Sequence, residues 1–164
     1  MIAENLPDQR CLEAIFLEEI ERGALQVDST LTASAATSIA EYSLMTAPER
    51  PIALVCNAHT TDPDAIDDER GAVRRILGRV AHSGWHVAWA YPNVDAWILA
   101  DPRVRGIFDG DEVTRRSRYD RAVRIGPLAR TQAIDRDAIG RAFPDFRALV
   151  AFIERHAFVP QPTS

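Results

Sequence analysis

The sequence predicts an α/β fold: a mostly parallel sheet with helices on both faces, and further helices at the C-terminal end. Three observations predict it. First, the run Pro51-Ile-Ala-Leu-Val-Cys-Asn57 is apolar at successive positions and ends sharply in polar residues. A strand buried on both faces has this pattern, and parallel sheets are made of such strands. Second, the segments between the apolar runs carry apolar residues at helical spacing. Third, strand-like and helix-like segments alternate along the first hundred residues, as in repeated β-α-β units.

Taken in order, Met1-Ile2-Ala3 is a very short first strand, followed by the polar turn Glu4 to Asp8. From Asp8, Leu12, Ile15, Phe16 and Ile20 share a helical face, and Gly23 is a stop signal. Leu25 to Leu31 alternates enough for a second strand, and the Ala- and Ser-rich stretch Thr32 to Met45 reads as helix. After the strand Ile52 to Cys56, a helix is expected from about Asp67 to His82, with Asp67, Asp68 and Glu69 suiting the positive end of its dipole. Trp85 to Tyr91 is the next strand, with Val87, Trp89 and Tyr91 on one side and His86 and Ala88 on the other. Val94 to Ala100 reads as a short helix, Pro102 to Gly126 as an irregular Arg-rich connection, and Pro127 to Ala142 as helix. A final helix opens near Pro144-Asp145 and buries Phe146, Leu149, Val150 and Ile153.

A chain of 164 residues suits one domain: a core over 1–101, then the Arg-rich connection and C-terminal helices over 102–164. With 46% apolar and 26% charged residues, composition excludes wholesale disorder. The formal net charge of -5 gives no general attraction to nucleic acid or to an anionic membrane, so any such contact must be local. Cys11 and Cys56 sit in apolar surroundings and read as reduced core residues. There is no signal-like opening and no apolar run of about 18 residues, so a soluble cytoplasmic protein without membrane contact is expected. Gly-x-Gly-x-x-Gly, P-loop and Gly-x-Ser-x-Gly patterns are absent from the sequence, which argues against nucleotide binding and serine hydrolase chemistry by those routes.

If the strands run parallel, Glu4, Asn57, His59 and Asp95 gather at the carboxyl edge of the sheet, the usual ligand-binding edge of such folds. Oxygen donors delivered from several strand ends suit a hard divalent cation, and its chemistry there would be phosphodiester hydrolysis or transfer. The loop after Asn57 adds Asp62 and Asp64, which either reach the metal or simply belong to a solvated loop and helix start.

This layout resembles the TOPRIM domain of topoisomerases, primases and a group of bacterial nucleases. In that family a Glu follows the first strand and an Asp-x-Asp ends a later apolar strand. The segment Val94-Asp95-Ala96-Trp97-Ile98-Leu99-Ala100-Asp101 is similar to the Glu-x-Trp-Leu-Leu motif of small bacterial TOPRIM-related proteins of abortive-infection type. The resemblance covers residues 1 to 101. It implies a TOPRIM-like (Rossmannoid) fold and a site in which Glu4, Asn57, His59, Asp62, Asp95 and Asp101 hold Mg²⁺ or Mn²⁺, with Glu4, His59 and Asp95 as the catalytic set. The departures are informative. Asn57-Ala58-His59 stands where the family has Asp-x-Asp, and Asp95 stands where it has Glu. Losing two carboxylates should weaken Mg²⁺ binding, and neutral His prefers borderline metals. His59 could instead act as a general base.

Between Arg103 and Arg130 the chain carries eight arginines against four acids. Arg115, Arg116, Arg118 and Arg121 are the candidate phosphate contacts, set against a plain salt-bridged surface. The expected function is a TOPRIM-like protein with a degenerate divalent-metal site in nucleic-acid processing or phage defence. It would be a binding or assembly subunit, with a protein partner or a second copy, or else a weakened metal-dependent nuclease. The alternative is an α/β module that binds a small molecule or protein and has no nucleic-acid role.

Overall fold

The computed structural model describes residues 1–81, 84–108 and 118–157, the side chains of 118, 119 and 157 excepted. The fold is α/β, with a four-stranded, wholly parallel sheet in the order β2-β1-β3-β4. The strands are β1 (Ile2–Ala3), β2 (Asp28–Ser29), β3 (Ile52–Asn57) and β4 (Trp85–Ala90). β1 pairs Ile2 with Asp28 and Ala3 with Ser29 on one side, and with Leu54 and Val55 on the other. β3 and β4 pair along their whole length, from Ile52 with Trp85 to Asn57 with Ala90. Every residue of β3 is buried, which is why its sequence shows no polar alternation.

Helices α1 (Leu6–Ile15) and α2 (Leu17–Glu21) connect β1 to β2, α3 (Ala33–Thr46) connects β2 to β3, and α4 (Pro63–Leu77) connects β3 to β4. The chain continues through α5 (Val94–Ile98), α6 (Pro102–Ile107), α7 (Arg118–Thr131), α8 (Arg136–Ala142) and α9 (Pro144–Ala157). The core splits by the pleat. Ala53 and Val55 point to the face covered by Leu12, Ile15, Trp97, Ile125, Phe146 and Leu149. Ile52, Leu54 and Cys56 point to the face covered by Ala36, Ala40 and Leu44 of α3 and Ile66 and Leu77 of α4. The C-terminal helices thus share one core face with α1. Both cysteines are buried, Cys11 on one face of the sheet and Cys56 on the other.

Several boundaries differ from the sequence expectation for identifiable reasons. α4 starts at Pro63, four residues earlier than expected. Asp62 caps it, its side chain accepting from Asp64 N, and Pro63 fills the first turn, where its missing N–H costs nothing. The Arg-rich connection is not irregular throughout, because Pro102–Ile107 and Arg118–Thr131 are helical. The helix expected over Pro127 to Ala142 is broken at Thr131, and Asp135 caps a new one by accepting from Ala138 N. No described helix is long and apolar enough to cross a membrane.

The outer edge of β4 is covered by the start of α9. Asp145 accepts a hydrogen bond from Trp89 N at 3.3 Å and pairs with Arg70 of α4. Farther along, the His86 ring stacks on Phe152 at 5.4 Å, and Phe152 packs against His156 at 4.6 Å. The His86 Nε2 is buried, with no hydrogen-bond partner among the described residues. Burial lowers the His86 pKa; Arg74 adds to this and Asp145 opposes it. The unfolded chain therefore takes up this proton first. The contribution to stability is full above about pH 6.5 and is lost as pH falls through the folded-state value. The thermal midpoint of the wild type should drop about 2–4 °C more than that of His86→Phe between neutral and mildly acidic pH. Identical pH profiles would show that His86 is not a source of acid sensitivity.

Candidate functional site

The order β2-β1-β3-β4 puts a topological switch point between β1 and β3. From β1 the chain crosses to one side of the sheet, and from β3 to the other. Ligands of open α/β sheets bind outside the carboxyl ends of the strands at this point. Glu4 follows β1, and Asn57 ends β3, so the two meet there. β1 gives out after Ala3, and the Glu4 carboxylate takes the next backbone donor of β3. Asn57 N donates to Glu4 Oε1 at 2.8 Å.

The Asn57 side chain completes the arrangement. Its Nδ2 donates to Glu4 Oε2 at 2.9 Å and to Asp8 Oδ2 at 2.6 Å, while its Oδ1 accepts from Val94 N at 3.0 Å. One amide thereby joins the end of β1, the first turn of α1, the end of β3 and the start of α5. Both of its N–H groups and its oxygen are used. Glu4, Asp8 and Asn57 are all buried. Burial is the largest influence on Glu4 and raises its pKa, and Asp8 adds to this; the Asn57 hydrogen bonds and His59 pull it back without cancelling it. A raised carboxyl pKa means that ionised Glu4 costs stability at neutral pH. Its contribution is present below the unfolded value and is lost as pH rises through the folded one.

His59 is the exposed member. Its Nε2 lies 3.8 Å from Glu4 Oε2. Its backbone is left-handed, with φ of 55°, held by the bond from His59 N to Pro92 O at 2.8 Å. That conformation costs a non-glycine residue about 1 kcal/mol. The β3–β4 ladder continues one residue earlier, from Ala58 N to Ala90 O.

The remaining candidates lie apart from this cluster. Asp95 follows Val94, but its carboxylate pairs with Arg121 of α7, and the two side chains are only 7% and 13% exposed. Arg121 therefore holds α7 to the carboxyl edge of the sheet. Asp101 caps α6, accepting from Arg103 N, the Arg103 guanidinium and Asp135 N at 2.8–3.2 Å. Burial works to raise its pKa, but those hydrogen bonds outweigh it and hold the carboxyl below its usual range. Asp62 is exposed and spent on capping α4. Arg115 and Arg116 lie outside the described residues, as does the side chain of Arg118. Asp8 is the member that sequence reasoning passed over. Its place in the first turn after the Asn5 cap was the available signal, since Asn5 accepts from Asp8 N and that tight turn keeps the start of α1 beside the end of β1.

No family model, curated protein or solved structure matches the chain. The donor set itself bears on metal binding. Both Glu4 oxygens, one Asp8 oxygen and one Asp95 oxygen are already taken by protein donors. Among the described residues, no group of three or more His, Cys, Asp or Glu side chains is arranged to hold a metal ion. The residues at the switch point fit an amide-bridged carboxylate pair better than a cation.

Proposed function

We propose that the chain is a TOPRIM-like domain in which the Asn57 amide has taken the place of a divalent cation. It acts as a binding or assembly subunit in nucleic-acid processing or phage defence, without nuclease chemistry of its own. The observation that carries this reading is the single Asn57 Nδ2 donating to Glu4 and Asp8 together. A divalent ion at a strand end draws carboxylates together by its charge. Here two N–H donors do so, with no ion to dehydrate. The nucleic-acid and defence context rests on the resemblance of Glu4, of the position Asn57-Ala58-His59, and of Val94 to Asp101 to the TOPRIM layout.

The competing reading, a weakened metal-dependent nuclease, draws on His59, an exposed imidazole held in a costly backbone conformation beside a buried carboxylate. Calorimetric titration of Mg²⁺ and Mn²⁺ into the wild type and Glu4→Ala separates the two, run beside binding and cleavage of labelled DNA and RNA oligonucleotides over a salt series. The expected result is no saturable heat from either ion and no cleavage, with oligonucleotide binding that weakens as salt rises. Saturable heat abolished by Glu4→Ala, together with ion-dependent cleavage, would establish the nuclease instead. Absence of oligonucleotide binding at low salt would leave an α/β module for a small molecule or protein.

A further inference from the structure

Most large apolar side chains exposed on the described surface gather along α3 and the residue before its cap. Leu31 is 93% exposed, Ile39 47%, Tyr42 67% and Met45 63%. Ala36, Thr37, Ala40 and Leu44 form the buried side of the helix, so Tyr42 stands near the centre of the outward side. Glu41 is the only charged residue in the fourteen of α3. The outward side of α4, by contrast, carries exposed Asp64, Asp67, Asp68, Arg74 and Arg75.

The α3 face also has a gradient of size. Its N-terminal half presents Ser34, Ala35 and Ser38, and its C-terminal half presents Ile39, Tyr42 and Met45. We infer that this face is an interface with a second copy of the chain, formed by two α3 helices packed antiparallel about a two-fold axis between Ser38 and Ile39. In that register Tyr42 lies over the partner's Ala35, Ile39 over the partner's Ser38, and Met45 over the partner's Thr32. Large groups of each helix fill the low half of the other, and a two-fold repeats each contact twice. Charge agrees with shape. α3 has no acidic residue in its first turn and no basic residue in its last, so no charged side chain in those turns complements its dipole. Antiparallel pairing sets the positive end of each helix beside the negative end of the other.

The interface is small. A helix of this length is about 21 Å long and about 10 Å wide. That is an outline of roughly 200 Å², against the ~800 Å² per partner of a standard stable interface. Association is therefore reversible and concentration-dependent.

Sedimentation velocity over a range from low micromolar to near millimolar protein tests this, with far-UV circular dichroism confirming that each variant is folded. The wild type should pass from monomer to dimer across the range. Tyr42→Arg and Ala35→Glu should each weaken association by roughly tenfold or more. The double variant should recover it, because each new arginine then faces the partner's new glutamate. A wild type that stays monomeric throughout overturns the proposal, and so do single variants that dimerise normally. Single variants that fail without rescue in the double variant overturn the antiparallel pairing and with it the proposed interface.

Discussion

Asn57→Asp should cost about 4 kcal/mol of folding stability and should make the protein respond to divalent cations. The substitution removes the two donors that lie between Glu4 and Asp8 and puts a third carboxylate in their place. A hydrogen bond to a charged acceptor contributes about 1.5–3 kcal/mol, and buried like charges add to the loss. Mn²⁺ or Mg²⁺ then has a reason to bind. At about a hundred times its dissociation constant, either ion should return about 2.7 kcal/mol. Denaturant midpoints with and without the ion measure both effects, and the wild type should show no shift. A variant as stable as the wild type without metal would mean that the amide bridge does not hold this edge together.

Arg121→Ala should cost about 3 kcal/mol, because it leaves the Asp95 carboxylate buried without its guanidinium. The pair Asp95→Leu/Arg121→Met should recover most of that, since apolar groups of similar volume replace a buried ion pair at little net cost. Urea denaturation of the four proteins completes the cycle. An interaction energy near zero would show that α7 is held by its apolar residues alone. If the chain binds nucleic acid, Arg121 should leave the salt dependence of binding unchanged, because a phosphate contact would alter that slope by about one unit.

The legible parts of the fold were those decided by local pattern. β3 and β4 announce themselves by burial on both faces, and Val87, Trp89 and Ala88 divide between the two faces as their alternation predicts. β2 was less legible. Its sequence alternates over Leu25 to Leu31, yet only Asp28–Ser29 pairs, because β1 offers just two residues to pair with. Strand length here is set by a partner far away in sequence. The start of α4 was signalled by Asp62-Pro63, but the acids at Asp67 to Glu69 matched the dipole rule equally well four residues later.

The site divides in the same way. Glu4, Asn57 and His59 could be placed together from strand ends and parallel connectivity alone. The role of Asn57 could not, since an asparagine in a sequence does not reveal that both its N–H groups find carboxylates. The Arg121–Asp95 pair joins α7 to α5 across 26 residues of sequence, and no local spacing encodes it.

The Asp145 carboxylate on Trp89 N has a consequence for how this protein can fail. An uncovered end strand is a template on which another chain can add its own backbone, and growth of that kind leads to aggregates. In this molecule the first turn of α9 takes one donor of that template, Trp89 N, with Arg70 pairing with the same carboxylate. Asp145 follows Trp89 by 56 residues and is synthesised after it, so β4 exists before its cover does. Premature truncation ahead of Pro144 would yield a chain with its sheet complete and its edge open, a species prone to sticking to its own kind.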